Sequence, residues 1–517
     1  MHINTDLFTL IKSLSKQEKR YFKLYAEQNT RNNKNNYLLL FDVIEHQSRS
    51  SSGEYDEAKL LKEHKGAEFI KYFASTKYQL YNLILRVMHI YHSESSTDAI
   101  LNEKIHHIEF LYNKALYKQS LKEVKQARQL AEDAEKFAHL LDIIGWEQKV
   151  MKEIPDLKKK NIDTDKWLKE ERDVLHKLSN LTEYRKVFND VHFLYKFKGH
   201  IRSSSEKEEY LKVIRQPLLK TEKNALSARA LYMHYHSYGN YYSAQSDIQR
   251  CYVQTKIIVD FMEHKKSVFE DNLSYYVNTI YYFGVMSLLL KKTNDFWRVI
   301  NKLQTTKANS EILKVKTFEW IYNLLFLYYT RSGNFQEGAK AVEEFEKGLS
   351  KYEGKMTKSI EVILYNQSGY INFGAGKYSQ ALKWVNKLLN STTLNVRDDV
   401  KTMARILDLF IHYELGNEEL ILYKVRSNQR FLSKNNRMYG IERTIMSYFI
   451  KKSLYEKDHR KETFIELKKD IIEVIKNSKE ESFLMHLDLL YWIDSKITGA
   501  SFSDLLKKSF SSKNLSQ

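Results

Sequence analysis

Proline and glycine are scarce in this chain, with two prolines and 16 glycines among 517 residues. Proline breaks helices most strongly and glycine next, so this composition allows long, nearly uninterrupted helices. Sheet proteins need more turn residues than this. The chain is also too long for one compact core of ordinary size, so we expect several domains or one extended array of repeats.

Cysteine is rarer still, since Cys251 is the single one. One thiol excludes an intramolecular disulfide and any multi-cysteine zinc or iron–sulfur site, and it fits a reducing compartment. The amino terminus lacks the continuous apolar stretch of a signal peptide. The most apolar run elsewhere, residues 281–290, is about half the length that a membrane span needs. These features predict a cytoplasmic protein with no membrane partner.

The charges are unequal: 83 Lys and Arg against 65 Asp and Glu give a net charge of +18. Such a balance is compatible with a polyanionic partner such as nucleic acid. The lysines, however, are spread along the chain, and most of their short clusters are diluted by nearby acids. Because a solvated helix surface explains this distribution better, nucleic acid is a conceivable but not a favoured partner.

The pattern of residues 1–95 predicts a small N-terminal helical domain. Ser15 followed by Glu18 forms a capping box, so a helix should begin there and run to about Gln28. A short helix further on is expected to end at Gly66 in a left-handed cap. Beyond Gly66, apolar residues at helical spacing predict one long helix: Phe69, Phe73, Leu80, Ile84, Val87 and Tyr91.

A short helix, a glycine turn and a long helix could also form a helix-turn-helix that reads DNA. The segment after the glycine carries Glu68, Lys71 and Lys77 among aromatic residues, which is a weak set for contacts with bases. An ordinary helical hairpin is therefore the favoured interpretation. DNA binding by residues 1–95 stays open as an alternative.

A recurring pattern occupies residues 96–500. Its best copy, residues 365–389, reads YNQSGYINFGAGKYSQALKWVNKLL. A helix is followed by a glycine turn, an aromatic residue two positions later and a small residue three further on. This pattern resembles the tetratricopeptide repeat. The resemblance implies that Gly369 and Ala381 lie at the closest helix contacts and that Gly376 and Tyr378 form the turn.

Further copies keep part of this pattern. They are Gly333 with Phe335 and Gly338; Ser246 with Ile248 and Cys251, preceded by Gly239 and Tyr242; Ala115 with Tyr117 and Ser120; Asn294 with Phe296 and Val299; and Gly416 without an aromatic residue. Corresponding small residues are 39 to 48 positions apart, whereas the family repeats every 34 or so. The resemblance covers about two thirds of the chain.

The resemblance implies an all-α fold: a right-handed α-solenoid of stacked helical hairpins with irregular repeat length, preceded by the small N-terminal domain. The best-matched units span residues 104–136, 232–264, 280–308, 319–350, 362–393 and 401–432. The serine- and lysine-rich residues 501–517 are expected to fray.

Motifs for catalysis or cofactor binding are weak. The string at residues 374–377, GAGK, lacks two P-loop residues, since Ile371 stands in place of the first glycine and Tyr378 in place of Ser or Thr. No HExxH or GxSxG motif occurs. Pairs of acid and histidine three apart occur about as often as chance gives: Glu103–His106, Asp173–His176 and Glu456–His459. We therefore predict no catalytic residue, no cofactor, no metal site and no enzyme activity.

The leading hypothesis is a scaffold or adaptor that binds another protein or an extended peptide. In tetratricopeptide repeats the first helix of each hairpin lines a concave groove. Asparagine there can hydrogen-bond a peptide backbone, and arginine can pair with a carboxylate. The resemblance implies eight residues in this groove: His236, Asn240, Asn323, Arg331, Asn366, Tyr370, Arg405 and Tyr413.

Two alternatives stay open. Residues 1–95 could bind DNA while the solenoid senses a peptide, which is similar to the organisation of peptide-responsive regulators. The chain could also be the regulatory subunit of an enzyme complex. Tyr-Asn at 322–323 and at 365–366 is similar to pentatricopeptide repeats, but the unequal spacing breaks the register that reading one RNA base per repeat requires. The sequence specifies neither the partner nor the oligomeric state.

Overall fold

A computed structural model describes most of the chain, and its ranges are residues 3–28, 36–49, 54–154, 164–198, 201, 204–308, 310–352, 354–390, 398–434, 440–452, 460–478 and 488–512. Within these ranges 87% of the residues are helical and no strand is present, so the predicted all-α class is confirmed. Across the same ranges, none of the helices has the length and apolar character needed to cross a bilayer.

The chain forms two compact units: Met1–Tyr184 with Ala225–Ala230, and Arg185–Asn224 with Leu231–Gln517. The boundary near residue 95 that the sequence suggested lies inside the first unit.

Among the described residues, the first unit contains ten helices or parts of helices before residue 200, and two of its helices also extend into the second unit. The ten are α1 Ile3–Ser13, α2 Lys16–Gln28, α3 Asn36–Ser48, α4 Glu57–Glu63, α5 Glu68–Lys71, α6 Phe73–Tyr91, α7 Thr97–Asn113, α8 Tyr117–Asp133, α9 Phe137–Glu153 and the shared α10 Thr164–Lys198. After α11 Ser204–Ile214 of the second unit comes the other shared helix, α12 Ala228–Ala244.

The second unit continues with α13 Ile248–His264, α14 Lys266–Phe269, α15 Leu273–Leu289, α16 Thr293–Thr305, α17 Glu311–Ser332, α18 Phe335–Leu349, α19 Lys358–Gly374 and α20 Tyr378–Leu389. It ends with α21 Asp398–Glu414, α22 Glu418–Lys434, α23 Gly440–Lys452, α24 Arg460–Ser478, α25 Leu489–Thr498 and α26 Phe502–Ser512.

The capping box at the start of α2 is present as the sequence predicted. The Glu18 amide donates to Ser15 Oγ at 3.2 Å, and the Ser15 amide donates to the Glu18 carboxylate at 2.6 Å. The helix then buries Phe22, which stacks on Phe41 of α3 with ring centroids 4.6 Å apart. Together with the apolar face of α6, these rings form the core of helices α1–α6.

The predicted left-handed cap at Gly66 is wrong. Helix α4 ends at Glu63, and its C-cap is His64, whose φ is −115°. The chain then turns back through a hydrogen bond from the Ala67 amide to the His64 carbonyl. Gly66 is absent from the described residues with positive φ, because this turn does not need one.

In the part of the chain that the structure describes, one turn geometry recurs at seven junctions between consecutive helices. A residue with φ between 52° and 74° stands two positions before the next helix begins. At six junctions two backbone hydrogen bonds of the Schellman type close the preceding helix; at the 376 turn, the Gly376 amide donates to the Phe373 carbonyl and the Lys377 amide to the Asn372 carbonyl. The seven residues are Ala115, Glu135, Ser246, Lys291, Gly333, Gly376 and Gly416.

This turn corrects the register of one sequence-derived unit. The copy assigned to Asn294, Phe296 and Val299 has its left-handed residue at Lys291, three positions earlier than proposed. Phe296 therefore occupies the place that Ala381 holds in the best copy, five residues after the turn. A shift of three residues is almost one helical turn, and position 296 is aromatic. The repeat pattern therefore looked similar in the wrong register.

Small residues allow the paired helices to approach. Ser120 Oγ donates to the Ile108 carbonyl at 3.1 Å, and Cys251 Sγ lies 3.9 Å from the Gly239 carbonyl, twelve residues earlier in both cases. At the same spacing, a Cβ built on Gly369 would lie 3.6 Å from the Ala381 carbonyl. These contacts lie where the repeat pattern predicts close helix packing.

Packing in the second unit follows chain order. From α15 to α22, each helix contacts the next one, and α15, α17, α19 and α21 also contact one another in sequence. The C-terminal helices depart from this order, because α26 packs against α17. Residues 502–512 are thus helical, and the predicted fraying does not apply to them, since Leu506 is buried. Residues 513–517 lie outside the described residues.

Candidate functional site

Partly buried polar contacts join the first helices of successive hairpins. The Tyr281 hydroxyl of α15 donates to Asn323 Oδ1 of α17 at 2.8 Å, and Asn323 Nδ2 reaches Gln367 Oε1 of α19 at 3.4 Å. The Trp320 indole stacks on Tyr281 with a centroid separation of 4.0 Å. Asn323, a predicted groove residue, is only 4% exposed and is held by its neighbours.

His236, another predicted groove residue, lies among aromatic rings. Its Nε2 is 3.3 Å from Thr279 Oγ1, and its ring is 4.4 Å from that of Tyr232. Burial, with a smaller effect from His192, lowers the pKa of His236 to about 4. The imidazole is therefore neutral at pH 7 and offers no charge to a ligand. Asn240, one turn further along α12, is half-buried.

Arg331 and Tyr370 meet a residue far away in the chain. The Tyr370 hydroxyl donates to the Asp488 carboxylate at 3.0 Å and accepts from the Asp488 amide at 3.1 Å. Burial raises the pKa of Asp488, although the Tyr370 hydrogen bond and the Arg331 charge oppose this effect. Burial also lowers the pKa of Arg331, and the structure gives this side chain no ion pair with any described residue.

Arg405, Tyr413 and Asn366 complete the predicted set. The Arg405 guanidinium stacks over Phe431 at 4.1 Å and donates to Asn428 Oδ1 at 3.2 Å. Asn366 is half-buried, and its Oδ1 accepts no hydrogen bond from the described residues. The Tyr413 ring meets Trp492 edge-on, with centroids 5.7 Å apart.

Residues 488–512, hereafter the C-terminal segment, cover part of the predicted surface. The Trp492 ring stacks on Phe410 of α21 at 4.5 Å, and its Nε1 donates to the Glu414 carboxylate at 2.7 Å. Lys496, one turn later in α25, pairs with the same carboxylate at 2.5 Å. Asp488, Trp492 and Lys496 are thus engaged by α19 and α21 at successive turns.

The last helix, α26, continues towards earlier hairpins. Phe502 stacks on Phe335 at 5.4 Å, and Ser503 Oγ donates to the Gly333 carbonyl at 2.7 Å. Near its end, Lys291 Nζ donates to the Phe510 carbonyl at 2.6 Å. The C-terminal segment therefore runs opposite to the order of the hairpins, from α21 back to the turn at Lys291.

Sequence reasoning missed this segment because it carries no repeat motif. A signal was nevertheless present, since Phe502, Leu505, Leu506 and Phe510 recur at helical spacing and require a partner surface. The pattern predicts an amphipathic helix but not what it contacts.

Other candidate sites are weaker. A cavity of about 690 Å³ is lined by Glu263, Tyr276 and Lys302 among others, but Tyr276 and Lys302 both donate to the Glu263 carboxylate. In the first unit, Lys77 is buried and paired with Glu57 at 2.9 Å, so it is not available to a phosphate. The described part of the chain holds no group of three His, Cys, Asp or Glu suited to a metal ion, and Glu456–His459 lies outside it.

Neither a protein-family model nor a curated protein matches this chain. The candidate site is thus defined by its own geometry: a surface of α17, α19 and α21 on which a helical segment is seated in cis.

Proposed function

We propose that this chain is a non-enzymatic scaffold or adaptor whose second unit binds a segment of another protein. The observation that carries the proposal is the seated C-terminal segment. A surface that holds Asp488, Trp492 and Lys496 at successive turns has the shape and polar groups to bind a peptide of similar chemistry. The surface already binds a helical segment of its own chain. A similar segment of another protein can therefore bind through contacts of the same kind.

The proposal includes a solenoid of tetratricopeptide type. Seven repeats of one turn geometry and the sequential contacts of α15, α17, α19 and α21 support it. Each hairpin buries one face against the next, and the first helices then present a continuous surface. Of the eight predicted groove residues, Arg331, Tyr370 and Tyr413 lie where the C-terminal segment is seated.

The role of Arg331 provides a direct test. We expect a partner carboxylate to pair with its guanidinium, whereas none of the described residues forms an ion pair with it. Full-length wild type, Arg331→Met and Lys340→Met would be used for affinity capture from the native cytosol after nuclease treatment, with quantitative mass spectrometry. Lys340→Met is the matched control, since Lys340 is exposed on α18 and, among the described residues, pairs only with Glu337 at the surface.

The expected result is one protein partner that survives nuclease and falls about tenfold with Arg331→Met but not with Lys340→Met. The proposal fails if no captured protein depends on Arg331, or if the bound material disappears with nuclease. The second result would favour nucleic-acid binding, for which the pairing of Lys77 with Glu57 gives no support. A regulatory subunit of an enzyme complex would appear as an enzyme among the captured proteins.

A further inference from the structure

We propose that the partner of this surface is an amphipathic helix with a carboxylate, an aromatic ring and a cation at successive turns, and that it binds by displacing the C-terminal segment. This inference rests on the proposed function and names the partner's chemistry and its built-in competitor. The spacing is that of Asp488, Trp492 and Lys496, each four residues after the last.

Three places on the surface correspond to these groups. Tyr370 and Arg331 face the carboxylate, Phe410 and Tyr413 contact the aromatic ring, and Glu414 pairs with the cation. Residues four apart lie on one face of a helix, so a single helical ligand can meet all three places.

Two interactions are missing among the described residues while the C-terminal segment is seated: an ion pair of Arg331 and a side-chain cap of α25. Arg331 lies near Asp488 but makes no ion pair with any residue that the structure describes. Asp488 also stands at the N-cap of α25, where its side chain makes no capping hydrogen bond because it is engaged by Tyr370. Release of the segment would free that carboxylate to cap its own helix.

A partner helix can bind more tightly than the C-terminal segment at the same place. A carboxylate on a longer side chain than that of Asp488 would form a charge-assisted ion pair with Arg331. Replacement of aspartate by glutamate adds this length without changing the charge. The cis contact is therefore strong enough to cover the surface, yet open to competition by a better-matched helix.

Hydrogen exchange on the wild-type full-length chain tests whether the segment opens by itself. If it is a competitor, the amides of α25 and α26 should exchange on the order of a hundredfold faster than those of α19, because local release leaves the hairpins folded. Equal exchange rates for all three helices would show that the segment is an integral part of the core and would overturn the proposal.

Peptide binding tests the chemistry. A fluorescent peptide with the sequence of residues 488–512 is expected to bind full-length Trp492→Ala about tenfold more tightly than wild type, since the variant removes the ring that the cis segment places against Phe410 and Tyr413. The same peptide with Asp488→Glu should bind this receptor several-fold more tightly still, and Arg331→Met in the receptor should remove that gain. Circular dichroism would verify folding, with Lys496→Ala as the milder receptor variant.

Equal affinity for wild type and Trp492→Ala, or no gain from Asp488→Glu, would contradict the inference. Its failure is distinguishable from failure of the proposed function. A partner whose capture depends on Arg331 would keep the scaffold proposal even if the segment never opens. Absence of such a partner would remove the scaffold proposal even if the peptide binds.

Discussion

The Tyr281 hydroxyl donates a hydrogen bond to the buried Asn323 Oδ1 at 2.8 Å, which joins the first helices of two adjacent hairpins. Loss of the donor would leave the buried amide oxygen without a partner. We expect Tyr281→Phe to lower the free energy of unfolding by roughly 1–3 kcal/mol. Urea unfolding followed by circular dichroism would measure this.

Tyr423→Phe is the matched control, because Tyr423 is 64% exposed on α22 and should change stability little. In a double-mutant cycle, Tyr281→Phe with Asn323→Leu should cost less than the two single changes together, since both partners are then removed. Strict additivity would show that the pair contributes nothing.

The repeat pattern placed five of the seven turns in the right register, including those at Ala115 and Ser246, which are not glycines. Gly333 and Gly376 were visible, whereas Glu135 was not, because a left-handed glutamate has no local signature. There the two Schellman hydrogen bonds and the packing of the following helix outweigh a conformational cost of about 1–2 kcal/mol.

The candidate site was less predictable than the fold. Transfer of the repeat geometry selected Tyr370, yet its partner Asp488 is 118 residues away. Local periodicity specifies which face of a helix is apolar, but the choice of neighbour depends on the whole chain. For the same reason the sequence suggested that Asn323 faces a ligand, although it bridges helices instead.

Ala115 tests the cost of the left-handed turn. Its φ is 57°, and it is exposed, so Ala115→Gly removes strain without loss of packing. We expect this change to raise the free energy of unfolding by up to about 1 kcal/mol. Ala138→Gly, the same chemical change at an exposed position in the first turn of α9, should lower it by up to about 1 kcal/mol. If thermal unfolding gives both changes the same sign, the left-handed assignment fails.

Glu18 should make the first unit sensitive to acid. Although burial alone would raise its pKa, hydrogen bonds from Ser15 and an interaction with His92 lower the pKa of Glu18 below its usual value. A lowered pKa in the folded state contributes stability above the unfolded pKa, and this contribution is lost as pH falls through the folded pKa. Glu18→Gln should therefore destabilise by on the order of 1 kcal/mol at neutral pH. The difference from wild type should shrink between about pH 5 and about pH 3 in thermal unfolding, and a constant difference would contradict this origin.

Glu319 should give a pH dependence of stability opposite to that from Glu18. Its side chain is 1% exposed, and its carboxylate accepts a hydrogen bond from the Thr357 amide at 2.6 Å at the start of α19. Burial raises the pKa of Glu319, despite the opposing hydrogen bond from Thr357. A raised pKa in the folded state contributes stability below the unfolded pKa, and this contribution is lost as pH rises through the folded pKa.

Glu319→Gln keeps an acceptor for the Thr357 amide but removes the buried charge. We therefore expect it to stabilise the second unit at pH 7, by on the order of 1 kcal/mol, and to have no effect below about pH 4. Thermal unfolding across this range would measure the difference, with Glu337→Gln on the exposed surface of α18 as the control. If Glu319→Gln lowers the melting temperature at pH 7, the ionised carboxylate holds α19 in place, and the cap outweighs the cost of burial.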